Sequence, residues 1–78
     1  MKNKDLIKLL QTLPPEMDVA VENYLGYVNI DIIKNVTIIN NKNFDSYNYH
    51  SNNDLMQRDK STGFKSILKK DFILLTNE

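Results

Sequence analysis

Residues 6–22 read Leu-Ile-Lys-Leu-Leu-Gln-Thr-Leu-Pro-Pro-Glu-Met-Asp-Val-Ala-Val-Glu, and this order constrains the chain more than any other feature. Leu6, Leu9, Leu10 and Leu13 fall at i, i+3, i+4 and i+7, the spacing of one apolar helix face. Pro14 disfavours the α region for Leu13, and neither Pro14 nor Pro15 can donate a backbone hydrogen bond, so the helix must stop here. Beyond the stop the period changes. Met17, Val19 and Val21 alternate with Asp18, Ala20 and Glu22, as expected of a half-buried strand with the larger apolar residues inward. Asn3 is the expected N-cap, and Asp5 places a negative charge where the helix dipole favours it.

The 78-residue length sets the scale of any core. A chain of this size buries only about 60–65% of its unfolded surface. Without a staple, such a core rarely supplies more than about 3–5 kcal/mol. There is no cysteine and a single histidine, which removes disulfides, thiolate zinc sites and cysteine nucleophiles. Burying further surface in a homodimer is one route to added stability, and we expect one. Ten basic and ten acidic residues balance, which argues against a nucleic-acid binder that relies on a strong overall field. No apolar run approaches the length needed to cross a bilayer, and the charged start does not resemble a signal peptide. A cytoplasmic protein with no membrane partner is the expectation.

Downstream, Gly26 suits a turn between strands and is flanked by Tyr24 and Tyr27. In residues 28–39, Val28, Ile30 and Ile32 alternate, Lys34 then takes their phase, and Val36 and Ile38 restore it. A continuous strand would aim Lys34 at the core, so a break near Ile33-Lys34 is expected, followed by a strand of about 34–40. Residues 40–65 read as a polar, Asn/Tyr-rich insert. Its asparagine clusters are turn formers, with an extra strand or hairpin arm expected at Tyr47 and Tyr49 and a helical turn at Leu55-Met56. Gly63 is expected at a turn, and Ile67 and Leu68 are expected against the helix. Lys70–Thr76 carries apolar residues on both phases, which marks a strand covered on both sides, either central in the sheet or sealed by a dimer partner. The sum is one α+β domain over 1–78: an N-terminal helix packed on a small, mostly antiparallel sheet of three to four strands.

The chemistry is tested class by class. Lys60-Ser61-Thr62-Gly63 holds the letters of a phosphate loop in the wrong order, since the glycines must precede the lysine. Asp45, His50 and Asp54 have metal-like spacing but lie in a segment with no evident rigid scaffold, so no metal is expected. His50 with Ser46 or Ser51 lacks any nucleophile-elbow pattern. Glu22 and Asp31 flank the first turn and are read as solvated strand-end charges. No catalytic residue and no cofactor emerge. What remains is a set of basic and aromatic residues, Lys42, Phe44, Tyr47, Tyr49, His50 and Arg58, with Lys60 and Lys65 nearby. Together with Tyr24 and Tyr27 they are the candidate binding residues, because long loops carry function and aromatic faces make contacts.

The opening Leu6 to Leu13, Pro14-Pro15, Glu16-Met17-Asp18 and Val19-Ala20-Val21, followed by a Gly-Tyr turn, resembles a group of small bacterial, phage and mobile-element accessory proteins. These begin with a helix ending in Leu-Pro and continue into a Val-x-Val strand. The resemblance covers roughly residues 4–39 and carries no catalytic residues. It implies a small accessory protein, phage- or mobile-element-borne, that inhibits a host factor or sequesters a small signal molecule. Two expectations follow: a non-enzymatic binder of a host protein partner, or a binder of a nucleotide-like small molecule in a dimer cleft. Nucleic-acid binding ranks third.

Overall fold

A computed structural model of the chain describes residues 1–22, 30–61 and 63–77. Helix α1 spans Asn3–Gln11, and five strands follow: β1 (Val19–Val21), β2 (Asn35–Ile39), β3 (Met56–Arg58), β4 (Ser66–Leu68) and β5 (Phe72–Thr76). The fold is α+β, as expected. The residues group into two units, Met1–Ile38 with Ile73–Glu78, and Ile39–Phe72. The turn at Gly26 with Tyr24 and Tyr27 lies outside the described residues.

In the first unit, α1 starts one residue earlier than the asparagine cap expectation. Asn3 is already helical, Lys2 is the extended N-cap, and no side chain caps the end. The first turn closes on backbone alone, with the Asp5 and Leu6 amides donating to the Lys2 carbonyl at 3.0 and 3.1 Å. The helix stops ahead of the prolines as expected. The Thr12 and Leu13 amides donate to the Leu9 and Leu10 carbonyls at 3.2 Å, a tightened last turn that satisfies carbonyls otherwise left open. The Met17 amide then donates to the Pro14 carbonyl at 3.2 Å, which turns the chain into β1. The buried stripe is narrower than the leucine spacing predicts. Leu6, Leu10 and Leu13 are half-buried, whereas Leu9 is 41% exposed.

Strand order in the main sheet is β1-β5-β2. The apolar run of β5 is central, and its Phe72, Ile73 and Leu74 are all buried. β1 runs parallel to β5, with Val19 opposite Ile73 and Val21 opposite Leu75. The Lys34 amide donates to the Thr76 carbonyl at 2.9 Å, which sets the start of β2 beside the end of β5. That pairing is antiparallel, so the sheet is mixed. The break before β2 is present: residues 30–34 form no strand, and exposed Lys34 avoids the core. The phase of β1 is the reverse of the expectation. Ala20 is half-buried, while Val19 and Val21 are 53% and 69% exposed. The register with β5 sets Ala20 opposite the buried Leu74, and alternation then turns Val19 and Val21 to the other face.

The second unit holds an antiparallel hairpin that the sequence reading missed. β3 pairs with β4 in the register Met56–Leu68, Gln57–Ile67 and Arg58–Ser66. Leu55-Met56 is therefore strand entry and not a helical turn. Ile67 is an exposed strand residue, and Ile67 and Leu68 pair with Gln57 and Met56 in this hairpin. No strand forms at Tyr47 and Tyr49, where the chain makes turns.

Candidate functional site

The candidate residues of the second unit sit on a loop whose shape is set by asparagine and aspartate side chains. Asn40 accepts the Lys42 amide at 2.9 Å through Oδ1, while its own amide donates to Asn43 Oδ1 at 2.8 Å. Asp45 repeats the device, taking the Tyr47 amide on Oδ1 at 3.1 Å and the Asn48 Nδ2 group on Oδ2 at 2.6 Å. Short polar side chains bond locally in this way because they compete well with regular backbone pairing. Asn52 and Asn53 organise the entry to β3. Asn53 Oδ1 accepts the Leu55 and Met56 amides at 2.8 and 3.2 Å, and Asn52 Oδ1 accepts the Arg58 amide at 2.8 Å. The insert is thus an ordered series of turns.

Ser66 anchors this loop to the hairpin. It is 2% exposed, its amide donates to the Ser46 carbonyl at 2.6 Å, and its hydroxyl donates to the Tyr49 carbonyl. Sequence reasoning passed over Ser66 and read Asn52 and Asn53 as turn formers only. The asparagines carried a signal as turn formers, whereas nothing in the sequence marks Ser66 as buried.

Against this frame the predicted residues separate. Phe44 and Tyr49 stack on each other, with ring centroids 5.4 Å apart and planes 20° from parallel, and both are half-buried. Their facing surfaces are occupied by one another. Tyr47 is 65% exposed, and Lys42, His50 and Arg58 are exposed as well. Tyr24 and Tyr27 lie outside the described residues.

In the Lys60-Ser61-Thr62-Gly63 segment, Asp59 collects the donors that a phosphate would need. Asp59 Oδ1 accepts the Ser61 amide at 3.0 Å and the Ser61 hydroxyl at 2.6 Å, and the Gly63 amide donates to the Asp59 carbonyl at 3.0 Å. These bonds hold the Asp59 carboxyl below its ordinary pKa. The Ser61 hydroxyl contributes most, then the Ser61 amide, with Lys65 adding a smaller favourable charge. Gly63 sits at φ +73°, the left-handed conformation that closes the β3–β4 turn. Among the described residues, no three His, Asp or Glu side chains converge as a metal site would require. Elsewhere, in the first unit, Ile30, Asp31, Ile32, Lys34 and Asn77 line an open depression of about 300 Å³. None of the described sequence-predicted binding residues borders it.

No family model, no curated protein and no solved structure matches the chain. Among the described residues, no helix is long and apolar enough to cross a membrane.

Proposed function

We propose that this is a non-enzymatic binding protein that acts by holding a protein partner, with Tyr47 as an anchor. The observation that carries the reading is a solvent-facing tyrosine on a loop already fixed by its own bonds. Tyr47 is 65% exposed, while its amide is held by Asp45 and the next turn is pinned through Ser66. An aromatic side chain presented without further ordering loses little entropy on binding, and such residues dominate interface energetics. Lys42 and His50 supply polar contacts beside it in the sequence. A cytoplasmic setting, a phage or mobile-element origin and a homodimeric state accompany this reading as parts of the proposal.

The stacked Phe44–Tyr49 pair favours a protein partner over a nucleotide-like ligand. Rings already facing each other cannot sandwich a base without separating. The test compares the wild-type chain with Tyr47→Ser, whose exposed site should leave the melting temperature unchanged. We expect one host protein to be retained by the wild type at physiological salt and lost by the variant. Equal retention by both would remove Tyr47 from the site. A rise in melting temperature with nucleotides or cyclic dinucleotides would favour the small-molecule alternative, because a ligand that binds only the folded state must stabilise it.

A further inference from the structure

In the second unit, the ladder of the β3–β4 hairpin runs one residue past β4 at each end. The Asp59 amide donates to the Lys65 carbonyl and the Lys69 amide to the Leu55 carbonyl, both at 2.8 Å. Residues 65–69 thus continue the strand, and successive side chains alternate between its two faces. Burial follows that alternation: Ser66 is buried and Leu68 half-buried, whereas Lys65, Ile67 and Lys69 are exposed. The register sets Gln57 opposite Ile67, so its exposed side chain shares the outer face. Lys65 and Lys69 stand about 13 Å apart along the strand, with Ile67 between them. Lys69 Nζ donates to the Asn53 carbonyl at 3.2 Å, a neutral group that does not cancel its charge. Phe64, next to Lys65 at the turn, is 74% exposed.

Charge on this hairpin does not balance as it does over the whole chain. Residues 55–59 and 65–69 hold Arg58, Lys65 and Lys69 against Asp59, and the Asp59 carboxylate already accepts the Ser61 amide and hydroxyl. We infer that the outer face binds a single-stranded nucleic acid, with a base stacked on Phe64 and the strand's phosphates following Lys65 and Lys69. A linear polyanion with flat apolar faces matches cations set in a line beside an exposed ring. The same line decides against an anionic membrane. An inserting surface gathers its apolar groups on one side, whereas here Gln57 and two lysines surround Ile67. A duplex also fits poorly, because its bases are stacked on one another and offer Phe64 no free face. The inference goes beyond the protein partner proposed for Tyr47 and stands independently of it.

The test is fluorescence anisotropy of the full chain with labelled oligothymidylate and oligouridylate of about 12 nucleotides. A duplex of equal length and vesicles containing phosphatidylserine are the comparisons. Both single strands should bind at low salt, and the tighter of the two tells a DNA ligand from an RNA ligand. With two lysines each neutralising one phosphate, log affinity should fall against log salt with a slope of about −1.4. Lys69→Gln should reduce that slope by about 0.7. Phe64→Ala should weaken binding roughly 5- to 150-fold, while Phe64→Tyr, which keeps a stacking face, should bind as the wild type does. These positions are exposed, so the melting temperature should be kept, and the lysine readout stands alone if a ring variant loses its fold. NMR shifts on binding should centre on Gln57 and residues 64–69. No binding of either strand at low salt, equal affinity for the duplex, full affinity in Phe64→Leu, capture by the vesicles alone, or shifts confined to residues 42–50 would each overturn the inference. Tyr47→Ser should leave these affinities unchanged, so the two sites are judged separately.

Discussion

The two units use their residues in opposite ways. In the first, the described residues include only two fully buried apolar side chains, Ile73 and Leu74, while Ile7, Leu9, Val19, Val21, Ile30 and Ile32 are exposed. In the second, a chain rich in asparagine and aspartate is held by side-chain-to-backbone bonds around Ile39, Met56, Phe72 and Ser66. The edge of β3 is occupied from within the unit, since Asn52 takes the outward Arg58 amide. The polar half thus offers rigidity, the reverse of what composition suggests. Apolar residues exposed singly need no explanation, and Tyr47, Phe64 and Ile67 are exposed in the second unit as well.

The largest effect that would sharpen this comparison is at β5. Ile73→Ala removes one of the two fully buried side chains of the first unit and should cost about 2–5 kcal/mol. That is comparable with the whole stability of a chain this size, so the variant should be unfolded by circular dichroism. Ile73→Val should remain folded, with a loss of about 0.5–1.5 kcal/mol in chemical denaturation. Val21→Ala, in the same sheet but exposed, should change stability by no more than about 0.5 kcal/mol. A large loss at Val21 would mean that β1 is covered and the contrast between the units is wrong.

The next effect falls on the second unit. Ser66→Ala leaves the Tyr49 carbonyl without the donor that Ser66 supplies, at a cost of about 1–3 kcal/mol for a buried polar group. Hydrogen exchange should quicken at residues 44–49 while β1 and β5 keep their protection. Uniform loosening across both units would show that the chain unfolds as one. Gly63→Ala is milder. An added Cβ meets no atom within 4 Å, so the cost is that of the left-handed conformation alone, about 1–2 kcal/mol. It should appear in β3 and β4 exchange.

Much of the first unit was legible because its signals are long or absolute. Two prolines end a helix whatever surrounds them, and an apolar run on both phases needs cover on both sides, which β5 finds at the centre of the sheet. The misplaced lysine at position 34 correctly called for a break. The phase of β1 was not legible, because alternation tells which residues share a face but not which face is covered. Met56-Gln57-Arg58 and Ser66-Ile67-Leu68 were too short and too mixed to show a period, and only their mutual pairing makes them strands. At the candidate site, the asparagines announced turns. The division of labour among aromatics was not visible: Phe44 and Tyr49 spend their faces on each other and leave Tyr47 outward, a matter of loop geometry.

The smallest effect concerns acid. Asp59 is held ionised by the Ser61 hydroxyl and amide, with Lys65 assisting, so its folded-state pKa lies below the unfolded value. The sign follows from linkage. Ionised Asp59 stabilises the folded hairpin fully above the ordinary aspartate pKa of about 3.9, and that contribution is lost as pH falls through the lower folded value. The protected amides are those of Ser61 and Gly63, so loosening at low pH should begin in this turn, in the second unit, and leave the β1–β5 pairing untouched. Protection factors measured from neutral pH down past the carboxylate range should fall at Ser61 and Gly63 first. Asp59→Asn keeps an acceptor but no titrating group, and should flatten that profile without changing it at β5. If the asparagine variant loosens with the same pH profile, a different carboxylate governs the turn. If β5 loses protection together with the turn, the polar half does not respond independently.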